Sequence, residues 1–467
     1  MQRKRSHPDA SAASVGPALA TGENNGKSRS YALRFAKGIR MTALLVPAAV
    51  LAQRPPTIPI RAIGAVTGTS AITFQQIQHL RALSDGRVLI NDPGKRQVIM
   101  LDSTLAKPVV VIDSAGGANM YGQQAGALIP FAADSTLFVD RTASAFLVID
   151  PRGMVTRVMS FPSGNQASYL TQPATYGYPA YSSAFGVVFR VPQPRPQVQR
   201  PREGEPEITR RFEDSAVVVT MAIKSRKLDS LTRLGTGSTV TMRLSANNNN
   251  TNTTTPIFPV FDDWTVMSDG AVAVLRGREY RIDFFDGDAG RTAGPRLQYP
   301  WKQLDDAEKT HLVDSINTQR RKQFDEMIDD MRKQAENPNQ KIGPGGEKII
   351  IVDGMPIRTY GGERMPPPTP PASVQTTDIP DYLPATERGV ANYRADADNR
   401  LWIRPKPAAG APRGGGAVYE IVDRTGTLID RVQLPTGRTL AGFGPGGVVY
   451  LTTRDGNTTK IERRAFK

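Results

Sequence analysis

Leu83-Ser-Asp-Gly-Arg-Val-Leu-Ile90, followed by Gln97-Val-Ile-Met-Leu-Asp102 and Pro108-Val-Val-Val-Ile-Asp113, decides the fold. Each run is too short for a helix, and each is bounded by turn-forming residues. Apolar residues follow one another without polar alternation, so these strands need cover on both faces. Ile77 to Ala82 supplies a strand ahead of them. The same order returns with Ala132-Ala-Asp-Ser-Thr-Leu-Phe-Val139, Ala145-Phe-Leu-Val-Ile-Asp150 and Met154 to Met159, and Asp134 stands 49 positions after Asp85. Further copies start near Tyr181, Phe261 and Val390, and a last one at Thr439 stops after three strands.

Four-stranded units repeating every 40 to 50 residues predict an all-β six-bladed β-propeller, because a small sheet with two apolar faces is covered only by like neighbours. The expected blades lie near 77–113, 127–160, 181–234, 260–300, 390–434 and 438–467. The three-stranded last blade needs a fourth strand from elsewhere, and the extended segment 57–67 is the expected donor. A propeller domain over 53–467 follows, with a helical and Pro-rich insertion over 302–385 between blades 4 and 5.

The Asp150-Pro-Arg-Gly153 and Asp423-Arg-Thr-Gly426 turns, Leu383-Pro384-Ala385, and Asn399-Arg400-Leu401-Trp402-Ile403 carry a resemblance. With them the chain resembles exported bacterial six-bladed β-propellers related to NHL-repeat proteins. That resemblance implies a fold; such proteins serve as binding platforms and, less often, as enzymes, and no catalytic residue is carried onto this chain by it.

Residues 1–52 read as a cleavable leader. A basic stretch ending at Arg40 precedes the apolar run Met41 to Ala52, which is too short to span a bilayer, and Val50 and Ala52 are small residues at −3 and −1. A periplasmic or secreted monomer is expected, with no stable membrane span after cleavage. The 467 residues carry a net charge of +15, and removal of 1–52 leaves +9, spread thinly and without aromatic interleaving. Nucleic acid is therefore not an expected partner.

The insertions carry the individuality of the chain. Leu304, Leu312, Ile316, Phe324, Met327, Ile328 and Met331 recur near helical spacing, and the polar run Asn317 to Gln323 divides them, which leaves one helix or two. A lid or partner-binding helix is one reading; a structural helix packed on the side of the ring is the favoured one. An apolar stripe left exposed would instead point to a larger envelope assembly. Lys348 to Ile357 reads as a hairpin, Met365 to Pro371 as a stiff spacer, and Ala246 to Thr255 as a low-complexity loop.

Chemistry is sparse. With Cys 0 and His 3 there is no thiolate chemistry, and His79 and His311, which lie outside the leader, have no partner at metal spacing. No G-x-S-x-G elbow exists. Asp396-Ala-Asp398-Asn399 and Asp286-Gly-Asp288 have calcium-like spacing, but Pro407 stands where a bidentate glutamate would be needed. Turn-forming aspartates are the favoured reading, also for Asp102, Asp150 and Asp423. No catalytic residue, metal or cofactor is expected. His79, Arg81, Tyr393 and Arg394, on innermost strands, are the candidate ligand-binding residues.

The function expected from this is an exported, non-catalytic binding platform for an unidentified protein, peptide or envelope ligand. The alternative is a divalent-metal-dependent hydrolase or lactonase using the central channel. Several carboxylates and an Asn converging at one channel mouth within metal-ligand distance favour the alternative; a channel lined by apolar or basic groups counts against it.

Overall fold

The computed structural model describes residues 58–466 apart from 116–119, 162–165, 248, 288–289, 339, 341–342, 344–345, 388, 390–391 and 408–413. The expected leader lies outside the described residues, as do Asp288 and Val390.

Two short strands, β1 (Ile60–Ala62) and β2 (Val66–Thr69), open the described chain. Two four-stranded antiparallel sheets follow: β3 (His79–Ala82), β4 (Val88–Asp92), β5 (Gln97–Leu101) and β6 (Pro108–Ile112), then β7 (Ala127–Pro130), β8 (Thr136–Asp140), β9 (Ala145–Ile149) and β10 (Val155–Ser160). Helices α1 (Gln166–Thr171) and α2 (Pro173–Tyr176) lead to a sheet of β11 (Ala180–Ser182), β12 (Gly186–Pro192), β13 (Ile208–Met221), β14 (Leu228–Leu244) and β15 (Asn249–Thr254). A fourth comprises β16 (Asp263–Val266), β17 (Val272–Arg276), β18 (Arg281–Asp286) and β19 (Gly290–Arg296). Helix α3 (Asp306–Glu336) precedes a small sheet of β20 (Lys348–Val352), β21 (Met355–Tyr360) and β22 (Glu363–Arg364). The chain ends with β23 (Tyr393–Ala395), β24 (Leu401–Ile403), β25 (Val418–Val422) and β26 (Leu428–Gln433), then β27 (Arg438–Gly444), β28 (Val448–Asp455) and β29 (Thr458–Ala465).

The core lies between sheets, and its clusters form a cycle. Leu89 and Met100 of the first sheet meet Leu128 and Phe138 of the second; Ile129 and Phe146 meet Val187 and Val219; Val188 and Val218 meet Trp264 and Val274. Leu275 and Phe284 then meet Leu401 and Val422, Trp402 and Tyr419 meet Leu440 and Val449, and Tyr450 and Ile461 return to Leu80 and Ile90. First strands lie side by side: β27 by β3, β3 by β7, β7 by β11, β11 by β16 and β16 by β23. This is a β-propeller, and it explains the unalternated sequence runs: all five residues of β4 are buried because both faces of the sheet are covered.

The segment expected to donate one closing strand contributes two. β2 pairs antiparallel with β29, Val66 opposite Arg464, whereas β1 runs parallel to β26, Ile60 opposite Arg431. Between them Gly64 passes so close to Ala465 that a Cβ would sit 2.4 Å from its carbonyl oxygen, which restricts the crossing to glycine. The loop expected over 246–255 also contains a strand, β15, because its threonines find an open edge on β14, Thr254 opposite Thr239.

Helix α3 is one continuous element. The Asp305/Glu308 capping box starts it, and Asn317, in the polar run, donates to the carbonyl of Val374 at 3.1 Å and accepts from the Val374 amide at 2.9 Å. Most of its apolar positions are covered: Leu312 and Ile316 pack with Leu304, Val374 and Ile379, and Ile328 and Met331 are buried, while Met327 is exposed. Leu312, Ile316, Ile328 and Met331 therefore present no exposed stripe of the kind that would favour an envelope assembly. Lys348 to Ile357 forms the expected hairpin, Val352 opposite Met355. Among the described residues no helix is long and apolar enough to cross a membrane.

Candidate functional site at the channel mouth

Residues leading into the first strands line a cavity of about 560 Å³, which includes Gln76, Gln78, Arg141, Gln172, Tyr178 and Thr439. Amides and hydroxyls dominate its polar surface, and none of its lining residues is Asp or Glu. A cavity of that size holds a small organic molecule. A second, much smaller cavity includes Gly177, Asp263, Trp264 and Tyr393.

Pro173, Ala174, Thr175 and Tyr178 line both cavities, so the stretch from α1 through Tyr178 forms a strap between them. Gln78 donates to the carbonyl of Thr171 at 2.6 Å, Arg190 to that of Thr175 at 3.0 Å, and the Trp264 indole to that of Tyr176 at 3.2 Å. The donors are Gln78, immediately ahead of β3, Arg190 on β12 and Trp264 on β16. Gly177 then turns the chain at a φ of +79°, with the Trp264 indole nitrogen 3.0 Å from where a Cβ would stand. Tyr178 follows.

Tyr178 brings two of the expected residues together. The His79 ring stands edge-on to it at 5.5 Å between centroids, and the Arg394 guanidinium lies 3.9 Å above its ring centre, a cation–π contact. His79 is 4% exposed, and neither ring nitrogen has a hydrogen-bond partner among the described residues. Burial, with the Arg394 charge adding to it, pushes its pKa down to about 3. The imidazole is neutral at pH 7. Arg394 Nη1 is likewise buried and unpartnered among the described residues.

The other two expected residues point elsewhere. Arg81 shares the His79 face of β3 but turns one nitrogen to Asp134 at 2.9 Å, leaving Nε and Nη1 without partners among the described residues. Burial lowers its pKa, and Asp134 opposes that effect. Tyr393 packs in the core between the fourth sheet and its own; its hydroxyl is buried without a partner among the described residues. Burial first, then the Asp263 and Asp283 charges, raises its pKa well above that of an ordinary phenol.

No group of three His, Asp or Glu side chains suited to a metal ion occurs among the described residues. The Asp396 carboxylate accepts from the Asp398 and Arg400 amides, Arg400 Nε and the Trp402 indole, which makes it a turn acceptor. Asp102, Asp150 and Asp423 accept backbone amides in their turns, whereas Asp286 pairs with Arg424. His311 is exposed on α3. The sequence reading missed Tyr178, Gln78, Arg141 and Gln172, which lie in connections; Tyr169, Tyr176 and Tyr178 within one connection were the available signal.

No protein-family model matches the chain, and no curated protein matches it. Solved structures do. It is similar to a streptogramin B lyase, at 10% identity over 85% of this chain and 96% of that one, TM-score 0.31. It is also similar to a gluconolactonase from Xanthomonas campestris, at 9% identity over 89% and 99%, TM-score 0.34. A third is regucalcin, a calcium-binding protein from Agrobacterium tumefaciens, at 10% identity over 87% and 98%, TM-score 0.30. None of the three is described as a binding platform for a protein or envelope ligand. The expectation of a non-catalytic platform has no counterpart in these descriptions and is withdrawn; the alternative expectation, a hydrolase or lactonase, is left as a proposal. Its merits rest on the channel itself, because a likeness at these TM-scores assigns no activity to this chain.

Proposed function

We propose that the chain is a hydrolase or lactonase that takes a small polar substrate at the mouth of the channel of a six-bladed ring. The observation carrying this reading is the neutral, unpartnered His79 beside the unpartnered Nη1 of Arg394, joined through Tyr178. Tyr178 also lines the larger cavity. An unprotonated imidazole and a fixed cation supply a proton acceptor and an oxyanion partner for acyl transfer to water.

In this reading Arg394 Nη1–H donates to the acyl oxygen and holds the oxyanion that forms there. His79 accepts a proton from water as the oxygen of that water bonds to the acyl carbon. The bond between that carbon and the leaving oxygen then breaks, and the imidazolium returns the proton to the leaving alkoxide. Negative charge developing on the acyl oxygen offsets the Arg394 contribution to the depressed His79 pKa, while the larger contribution, burial, stays. A divalent metal does not fit: the polar groups lining the larger cavity are Arg141, amides and hydroxyls, no group of three His, Asp or Glu suited to a metal occurs among the described residues, and no step is routed through one.

The remaining readings belong to the same proposal. The cycle of inter-sheet clusters supports six blades with the 302–385 insertion between the fourth and fifth, and the Asp-x-x-Gly turns support kinship with NHL-repeat propellers. The basic and apolar pattern of 1–52 supports export of a monomer to the periplasm or medium. His79 and Arg394 are the ligand-touching members of the candidate set; Arg81 and Tyr393 support the channel wall.

Turnover of a panel of γ- and δ-lactones and aryl esters, with and without EDTA, tests the activity. The expected result is hydrolysis of at least one class, undiminished by the chelator. Absence of hydrolysis across the panel, or its abolition by EDTA, overturns the reading.

A further inference from the structure

We infer that the channel site takes a small organic anion, its carboxylate or phosphate group seated against Arg394. This names the substrate class for the site above and rests on that reading only in sharing its channel.

The first argument is charge. Arg394 has no carboxylate within ion-pair distance among the described residues, and neither does Arg141 at the cavity wall, whose terminal nitrogen donates instead to the Ser168 hydroxyl at 3.3 Å. Arg404 acts with Arg394 on the Tyr419 hydroxyl, so a further cation stands near. No acidic side chain lines the larger cavity. A partly desolvated guanidinium without a counter-ion is an unfavourable arrangement that a bound anion relieves.

The second argument is donor geometry. Arg394 Nη1 and the one protonated nitrogen of the neutral His79 are donors buried without a partner among the described residues, and Arg81 Nε and Nη1 are in the same condition two positions further along the His79 face of β3. Buried polar groups normally find partners. Planar guanidinium donors match the oxygens of carboxylate and phosphate. The stacking of Arg394 on Tyr178 fixes the plane of its fork, and the Gln and Thr side chains around the cavity suit the neutral, hydroxylated remainder of such a molecule. Hydrolysis of a lactone makes a carboxylate at the acyl carbon, so the product itself belongs to the class.

Calorimetric titration of the full chain with succinate and with glycerol phosphate, against succinamide and glycerol at matched ionic strength, tests this. Saturable binding of at least one anion and none of its neutral counterpart is expected. Arg394→Gln should weaken it about tenfold or more, because charge-assisted hydrogen bonds are lost, with Arg394→Lys intermediate. Should Arg394→Gln fail to give a cooperative melt, Arg394→Lys and Arg141→Gln, each expected to weaken anion binding, carry the comparison. Equal binding of the neutral compounds, no saturable binding of either anion, or unchanged affinity in the folded variants overturns the inference. Anion binding without turnover of any lactone leaves it standing and removes the hydrolase; turnover of uncharged lactones without anion binding does the reverse.

Discussion

His79 concentrates the physics of the site. An imidazole held down to about 3 by burial and by Arg394 binds its proton more weakly in the folded chain than in the unfolded one, where 6.5 is ordinary. Between those values the unfolded state holds more protons, so stability rises with pH across the window. The contribution is complete above pH 6.5 and is lost progressively as pH falls toward 3. Urea midpoints measured from pH 7 to 4.5, above the carboxylate range, should therefore decline on acidification by up to about 1 kcal/mol per pH unit, and His79→Gln should flatten that decline. An equal slope in the variant would place the proton elsewhere. Alternation along the inner strands nominated His79 and Arg394, but nothing local in the sequence says which face of each strand meets Tyr178. That depends on a strap tied down by Gln78, Arg190 and Trp264.

At the scale of elements, helix α3 and the segment around Val374 form a unit whose polar middle is satisfied at a distance. Asn317 replaces two backbone partners for Val374 with one side chain. Asn317→Ala should cost about 1–3 kcal/mol for the groups left unpaired, and hydrogen exchange should quicken first over 372–380 while β4 and β9 stay protected. Uniform loss of protection would mean that α3 is continuous with the ring core. The apolar spacing of this helix was legible in the sequence. Its continuity was not, because the polar run from Asn317 to Gln323 reads as a break until the segment around Val374 that pairs with Asn317 is in place. The same holds for β15, whose threonines and asparagines form a strand only because β14 offers an edge.

Across the whole molecule, legibility follows burial. A sheet covered on both faces writes unbroken apolar runs, and those runs at a period near 50 residues are why the propeller class was readable. The closure was half readable: an early extended segment does reach the C-terminal strands, but its division at Gly64 depends on a backbone approach that has no sequence signature beyond glycine itself. Gly64→Val should lower stability by about 1–3 kcal/mol through the forced shift against Ala465, seen as an earlier urea midpoint with a single transition. An unchanged midpoint would mean that the crossing is slack. Function is the least legible level, since a site assembled from residues as far apart in sequence as His79 and Arg394 leaves no motif.

In the proposed reaction one channel site, built on His79 and Arg394, performs hydrolysis. This is tested most directly by kcat/KM of His79→Ala, Arg394→Gln and the double variant on the best lactone or ester, each first checked for a cooperative melt. Each single change should lower kcat/KM by about 100-fold or more, and the double variant should fall by less than the product, because the two groups serve one transition state. Activity retained at the unaltered level in both single variants would contradict the account.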